Sequence, residues 1–286
     1  MKYIKYFLQF SFVVIFFSIF KILGPKVSSN LGGKLFEIIG PIFRSKNIIK
    51  KNLQIAMNNI SNQEINKISK LMWNNYGRVF AEYMFIKDFR FNKLGSNIQV
   101  EGQDILENLK KNNKSAVFIS GHFANFELMA MFLEKNGLNL CAVYRPLNNI
   151  FINKIMEKIR KKYICKNQVK KGIGGMKNLI NLIKQDFSIA LMIDQRVSEG
   201  IKSKFFNKDA YTTTVPGQLV KKFNMPIIPV HIERFDNVNF KIKIHKPIYY
   251  ASETSVESIT RNLNEILEDM IRINPEQWIW SHNRWK

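Results

Sequence analysis

Short apolar runs alternate with amphipathic segments from residue 97 to the C-terminus. The runs are rich in Val, Ile and Phe, which is typical of buried strands: "NIQVEG", "SAVFIS", "LCAVYR", "SIALMID", "PIIPVHI" and "FKIKIH". The segments between them, such as "NFELMAMFLEKNG", repeat apolar residues at the spacing of a helix. This alternation predicts an α/β fold with a central mixed sheet flanked by helices. In such sheets, functional groups collect beyond the carboxyl ends of the strands.

Two longer amphipathic segments carry helix start signals. Ser61 and Glu64 have capping-box spacing at the head of "SNQEINKISKLMWNNYGRVFAEYMFIK", where each side chain can satisfy a free backbone N–H. Thr254 and Glu257 repeat this spacing in "TSVESITRNLNEILEDMIRI". We therefore predict a long helix before the first strand and another, capped by Thr254, after the last strand.

The chain begins with a long uncharged segment. Tyr6–Phe20 contains 15 residues without a charge, and a snorkelling lysine can lengthen it. No small-x-small cleavage site follows, so we expect a membrane anchor over 1–24 rather than a cleaved signal peptide, and a single domain over 25–286. More basic residues follow the segment than precede it, which places the body of the protein in the cytoplasm. A second apolar stretch, 31–43, fits either an interfacial helix or a core helix.

Composition narrows the partners and excludes several kinds of site. The chain has 44 Lys and Arg against 22 Asp and Glu, a formal net charge of +22, which favours phospholipid, nucleic acid or an acidic protein. Cys141 and Cys165 lack paired spacing, so we predict neither a disulfide nor a zinc site. The sequence has no Walker loop, no G-x-S-x-G elbow and no metal-ligand cluster of histidines. We therefore expect no metal and no cofactor.

The candidate chemistry lies in "AVFISGHFANFELMAM", where a predicted strand turns into a helix. His122 follows the strand, Gly121 permits a tight turn, and Asn125 is placed to cap the helix. Glu127 falls in the first helical turn, where a carboxylate also favours the helix N-terminus by itself. Across such a corner a carboxylate can reach an imidazole, fix its tautomer and stabilise the imidazolium. From the residues alone, the spacing fits either a His122–Glu127 dyad that deprotonates a hydroxyl or a glutamate that only stabilises the helix N-terminus.

The segment "GHFANFE" resembles the H-x4-D/E signature of glycerolipid-type acyltransferases, and particularly of the lipid A biosynthesis acyltransferases (lauroyl and myristoyl type) of Gram-negative bacteria. "VYRPLNNIFINKIMEKIR", "IALMIDQR", "FFNKDAYTTTVPGQLVKK" and "NPEQWIWSHNRWK" follow in that family's order and approximate spacing, so the resemblance covers essentially the whole chain. Ala124 and Phe126 stand where the family commonly has Gly and Trp, and "SKFFNK" replaces a form commonly closer to "VPFFG". These departures bear on the acyl chain and the acceptor.

The resemblance implies a glycerolipid-acyltransferase-like fold and transfer of a fatty acyl chain, at the bacterial inner membrane, from acyl carrier protein thioester to a hydroxyl of a lipid A precursor. His122 would be the general base, since its reference pKa of about 6.5 suits proton removal near neutral pH, and Glu127 would orient it. Arg145, at the next strand end, would stabilise the oxyanion or hold an acceptor phosphate, unless it forms a structural ion pair. The candidate substrate-binding residues are Asp194, Gln195, Arg196 and Thr213.

Several alternatives stay open. Asp194 would instead hold the site in shape if it pairs with Arg145 or Arg196, and the C-terminal "WIWSHNRWK" fits core packing or a lipid-facing segment, with His282 expected to be structural. The acceptor would alternatively be another glycolipid or a lysophospholipid, or water in a thioesterase. A basic surface-binding protein would explain the lysines but not the ordered motifs. We expect an anionic membrane as a further partner, and no nucleic acid.

Overall fold

A computed structural model describes residues 2–94 and 98–286. The α-helices are α1 (Lys2–Leu23), α2 (Pro25–Phe43), α3 (Lys46–Ala56), α4 (Asn62–Glu82), α5 (Ile86–Arg90), α6 (Gln103–Lys111), α7 (Glu127–Lys135), α8 (Ile150–Ile159), α9 (Ile173–Ile183), α10 (Val215–Phe223) and α11 (Val256–Ile273). The strands are β1 (Ile98–Glu101), β2 (Val117–Ser120), β3 (Leu140–Tyr144), β4 (Asn167–Lys170), β5 (Ser188–Met192), β6 (Ile201–Phe205), β7 (Lys208–Thr212), β8 (Ile227–Asp236) and β9 (Asn239–Ile244). A π-helical turn, Arg160–Ile164, continues α8.

The central sheet has the strand order β1-β9-β8-β2-β5-β3-β4. The β8–β9 pair is antiparallel and the other neighbouring pairs are parallel, so the predicted mixed sheet flanked by helices is confirmed. All the predicted strands are present, although Asn97, at the start of the first, lies outside the described residues. β4 and the separate β6–β7 hairpin were not predicted.

The sheet separates two apolar clusters, and β2 contributes to both because successive side chains of a strand point to opposite faces. Val117 and Ile119 pack into one cluster with Trp278, whereas Phe118 packs into the other with Leu128. Every residue of β2 is buried, as expected for a parallel strand covered on both faces. The strand that precedes His122 is therefore among the most constrained parts of the fold.

The helix start signals are partly as predicted. Ser61 and Glu64 form the expected capping box of α4. The cap of α11 is Ser255, which accepts from the Ser258 N–H, so the predicted Thr254 cap is one residue too early. The predicted cap of α7 is also wrong, because no side chain caps its first turn. Asn125 Nδ2 donates to Glu82, and Asn125 Oδ1, the atom that would accept at a helix start, has no partner among the described residues.

The first two helices combine exposed apolar faces with contacts to the body. Among the described residues, α1 is the one helix long and apolar enough to cross a membrane, a test that signal sequences and core helices also pass. Most of its side chains are exposed, and the helix contacts α8 through a hydrogen bond from Asn149 Nδ2 to Tyr6 O (2.9 Å). α2, which contains the apolar stretch 31–43, packs closely on α4 where Gly32 meets Gly77.

Candidate active site

The register of two parallel strands brings His122 to Asp194. Ser120, at the end of β2, pairs with Met192, at the end of β5. His122 and Asp194 each lie two residues beyond this pair, so they leave the same edge of the sheet side by side. The position of His122 beyond a strand end agrees with the prediction, but the carboxylate beside it comes from the neighbouring strand rather than from the following helix.

Asp194 holds the histidine at two points. Its Oδ1 atom lies 2.8 Å from His122 Nδ1, and its Oδ2 atom accepts from the His122 backbone N–H at 2.8 Å. Trp278 Nε1 donates to the same Oδ2 atom at 2.9 Å. Asp194 is fully buried, whereas the His122 side chain is 22% exposed. This arrangement places the proton on Nδ1 and leaves Nε2 of the neutral ring free to accept one.

The two groups shift each other's pKa. Burial by itself lowers the pKa of His122, but the charge and hydrogen bond of Asp194, with Glu127 contributing less, raise this pKa above its usual value overall. Burial by itself raises the pKa of Asp194, but His122 and the Trp278 hydrogen bond hold it at about 2. The carboxylate is therefore charged at all physiological pH values and stabilises a protonated His122.

The expected hydrogen bond between His122 and Glu127 is not made. Glu127 instead accepts from Arg160 Nε at 2.9 Å, and the two side chains form a largely buried ion pair. Glu127 starts α7, so its carboxylate points toward the π-helical turn that carries Arg160. The carboxylate hydrogen-bonded to His122 is thus Asp194, and Glu127 acts on the pKa of the ring only through its charge at longer range.

A buried ion pair supports the loop that carries His122. Glu82 is fully buried and forms an ion pair with Arg234, and Asn125 donates to its second oxygen at 3.0 Å. The Ala124 N–H donates to Gln277 O at 3.0 Å, while Ala124 adopts a φ of 42°, in the left-handed region. A side chain with a Cβ is disfavoured there, so these contacts hold the backbone against its local preference.

The histidine opens onto a cavity of about 500 Å³. The predicted substrate residues Gln195, Arg196 and Thr213 all border it, as does Arg145 at the end of β3. Gln195 Nε2 lies 3.5 Å from His122 Nε2. Asp194 pairs with neither arginine. The residues that the structure describes contain no cluster of side chains suited to a metal ion.

Three residues of this region were not predicted in their observed roles. Trp278 holds Asp194, Arg160 pairs with Glu127, and His282 borders the cavity while accepting from the Arg196 N–H. All three lie in the segments "VYRPLNNIFINKIMEKIR" and "NPEQWIWSHNRWK", whose order along the chain carried the family resemblance. That order was the available signal, but it does not state which side chains meet.

Comparisons with known proteins identify the family of this chain. The chain matches the family described as "Bacterial lipid A biosynthesis acyltransferase" over residues 1–286. Lipid A biosynthesis acyltransferase 2 of Shigella flexneri is 23% identical over 185 residues, which are 63% of this chain and only 58% of that protein. The lipid A biosynthesis palmitoleoyltransferase of Escherichia coli (strain K12) is 23% identical over 266 residues, 90% of this chain and 84% of the relative. A solved 1-acyl-sn-glycerophosphate (LPA) acyltransferase from Thermotoga maritima superposes with a TM-score of 0.41 and 14% identity, over 88% of this chain and 99% of that one. Because the family match covers residues 1–286, this chain belongs to the bacterial lipid A biosynthesis acyltransferase family.

Proposed function

We propose that this protein transfers a fatty acyl chain from acyl carrier protein thioester to a hydroxyl of a lipid A precursor, with His122 as the general base. The observation that carries the proposal is the 2.8 Å contact between His122 Nδ1 and Asp194, which leaves Nε2 at the cavity. A hydroxyl is a weak nucleophile near neutral pH, so acyl transfer to it requires such a base. Family membership supplies the substrate class.

The geometry of His122 and Asp194 supports the following reaction. The acceptor oxygen attacks the thioester carbonyl carbon while His122 Nε2 takes the hydroxyl proton, and Asp194 stabilises the imidazolium that forms. The carbonyl electron pair moves to oxygen and gives a tetrahedral oxyanion. When this collapses, the C–S bond breaks and the sulfur receives the proton from His122 Nε2. The ester product carries one more acyl chain, and the enzyme returns to its starting protonation state.

Basic side chains at the cavity mouth suit an acceptor phosphate. Arg145 and Lys171 both border the cavity, and neither forms an ion pair with another described side chain. Burial and the like charge of Arg145 lower the pKa of Lys171, although Glu199 opposes the shift. Two cations held near each other gain from an anion between them. We assign Arg145 and Lys171 to binding a phosphate of the acceptor, and Arg145 is therefore not assigned to the reacting carbonyl.

We also propose that α1 anchors the enzyme in the inner membrane, with residues 25–286 as one cytoplasmic domain. Its 22 residues span about 33 Å at 1.5 Å per residue, close to the thickness of a hydrocarbon core. Deletion of 2–23 should release the remaining chain from membranes at high salt and alkaline pH, whereas the full chain should stay in the pellet. Equal retention of both would contradict anchoring by α1.

The test of activity uses the purified full chain, acyl carrier protein thioester and a tetra-acylated lipid A precursor. Mass spectrometry should detect a product heavier by one acyl chain. His122→Ala should abolish this product, whereas His245→Ala, which removes a histidine outside the cavity, should retain it. Undiminished turnover by His122→Ala at an unchanged melting temperature would refute the assignment of the base.

The same experiment separates the other acceptors. Transfer to a lysophospholipid or another glycolipid, with none to the lipid A precursor, would reassign the substrate while retaining the mechanism. Free fatty acid released at the same rate with and without an acceptor would indicate a thioesterase. Neither reaction is favoured by a separate feature of the site.

A further inference from the structure

One ring nitrogen of His282 connects the C-terminal segment to Arg196, the residue that follows Gln195. Its Nε2 atom accepts from the Arg196 backbone N–H at 2.9 Å. The backbone beside it is fixed as well, because Asn52 Nδ2 donates to both His282 O and Trp280 O at 2.8 Å. The ring therefore has a fixed place on the cavity wall.

The acceptor role of Nε2 determines where the proton of this ring lies. Burial is the main reason that the pKa of His282 falls to about 4, and the nearby charges of Arg284 and His122 lower it further while Asp194 opposes them. His282 is consequently neutral at physiological pH. In a neutral imidazole one nitrogen carries the proton, and here it must be Nδ1, since Nε2 accepts.

The Nδ1–H donor has no partner among the described residues. His282 lies near the candidate base. It contacts Arg196, the residue after Gln195, and the Gln195 amide nitrogen is 3.5 Å from His122 Nε2. His282 and His122 border the same cavity. Nδ1 of His282 is not one of the buried polar atoms that lack a partner among the described residues, so this donor is accessible to a substrate oxygen in the cavity.

We propose that the Nδ1–H of His282, together with the Gln195 side-chain amide, donates to the acyl carbonyl oxygen and stabilises the oxyanion formed when the acceptor attacks. This inference rests on the proposed acyl transfer and assigns a catalytic role to a residue expected from the sequence to be structural. A neutral donor suits the task because it strengthens its hydrogen bond as charge develops on the oxygen without giving up its proton. It also leaves proton transfer to His122 alone.

Two substitutions separate the two nitrogens of His282. His282→Gln places an amide near the Nε2 position, where its oxygen can still accept from Arg196, and leaves nothing at Nδ1. His282→Asn places an amide N–H near the Nδ1 position and removes the contact to Arg196. We expect kcat to fall by about 10²–10³-fold in His282→Gln, with little change in KM for the acceptor, and by less than about tenfold in folded His282→Asn.

A structural role predicts the opposite order, because His282→Gln keeps the contact to Arg196. A folded His282→Gln enzyme with wild-type kcat, or one more active than His282→Asn, would overturn the proposal. Gln195→Met provides a second test if either variant fails to fold: it should lower kcat at nearly constant KM, and unchanged kcat would contradict the paired donors. In the active variants the acid limb of the pH–rate profile should lie at the same pH as in wild type, because His282 is neutral throughout that pH range. A limb shifted to another pH would contradict a neutral donor.

Failure of the underlying function gives a different pattern. If the wild-type enzyme transfers no acyl chain, the proposed function fails. If wild type is active, His122→Ala is inactive and His282→Gln is fully active, only the role of His282 fails.

Discussion

Asp194→Asn tests whether the carboxylate of Asp194, rather than that of Glu127, fixes the tautomer of His122 and raises its pKa. Asp194 accepts three hydrogen bonds, one at Oδ1 and two at Oδ2. An amide has one acceptor oxygen, which will occupy the Oδ2 position because two donors meet there. The amide NH2 group then faces His122 Nδ1 and forces the ring into the tautomer with its proton on Nε2, which cannot act as a base.

The magnitude follows from the loss of the correct tautomer and of the stabilising charge. We expect kcat to fall by roughly 10³–10⁴-fold, equivalent to about 4–5 kcal/mol of transition-state stabilisation. The residual activity should also change its pH dependence. The negative charge raises the pKa of His122, and the active enzyme needs the ring deprotonated, so removing the charge should move the acid limb toward lower pH.

The assay is the pH–rate profile of acyl transfer for wild type, Asp194→Asn and Glu127→Gln, with thermal unfolding as a check on folding. Glu127 contributes less than Asp194 to the raised pKa of His122, so Glu127→Gln should move the acid limb less, whatever its rate. A larger shift in Glu127→Gln than in Asp194→Asn would restore the dyad expected from the sequence and refute this reasoning.

Three further predictions concern stability. Folding lowers the pKa of Asp194 from about 3.9 to about 2, so the ionised carboxylate should contribute roughly 2 kcal/mol to the free energy of unfolding. This contribution should be complete above pH 4 and disappear as the pH falls through 2. In urea unfolding, the free energy of unfolding should therefore differ less between pH 5 and pH 3 in Asp194→Asn than in wild type. Glu82→Gln leaves a buried arginine without its counter-charge and should cost about 3–5 kcal/mol of unfolding free energy, part of which Arg234→Met should restore in the double variant. Gly77→Ala should lower the free energy of unfolding by about 1–3 kcal/mol or more, because the new methyl group overlaps the backbone of α2. Gly174→Ala, where the new methyl group meets no other atom, should leave this free energy unchanged or raise it slightly in the same denaturation assay.

The parts of the fold that sequence reasoning identified are those with strong apolar runs. β2 and β5 are buried on nearly every residue and were recognisable without context. β4 ("NQVK") and the hairpin strands β6 ("IKSKF") and β7 ("KDAYT") are rich in polar residues, so their strand character depends on pairing with a neighbour. Pairing is a tertiary property that local periodicity does not contain.

The sequence indicates a candidate base at His122, but it does not indicate the carboxylate that contacts this histidine in the structure. His122 stands out because it ends an apolar run, and the acidic residue nearest in sequence was Glu127. The actual partner, Asp194, is 72 residues away and meets the ring through the register of β2 and β5. The sequence places Asp194 at a strand end, yet a single sequence does not specify which strands are neighbours or how they align.

His122 and Asp194 follow two adjacent central strands, β2 and β5, and this placement affects which parts of the cavity wall can move. The lipid proposed as substrate would have to displace part of the cavity wall to enter. The strands β3 and β5, which line the cavity, resist displacement because each is bonded to a neighbouring strand on both sides. The helical wall of the cavity includes the π-helical turn with Arg160 and the start of α9, neither of which belongs to the sheet. Outward movement of that helical wall would widen the cavity while the 2.8 Å contact between base and carboxylate stays unchanged. Such a movement would separate substrate admission from alignment of the base, because His122 and Asp194 both follow strands of the sheet.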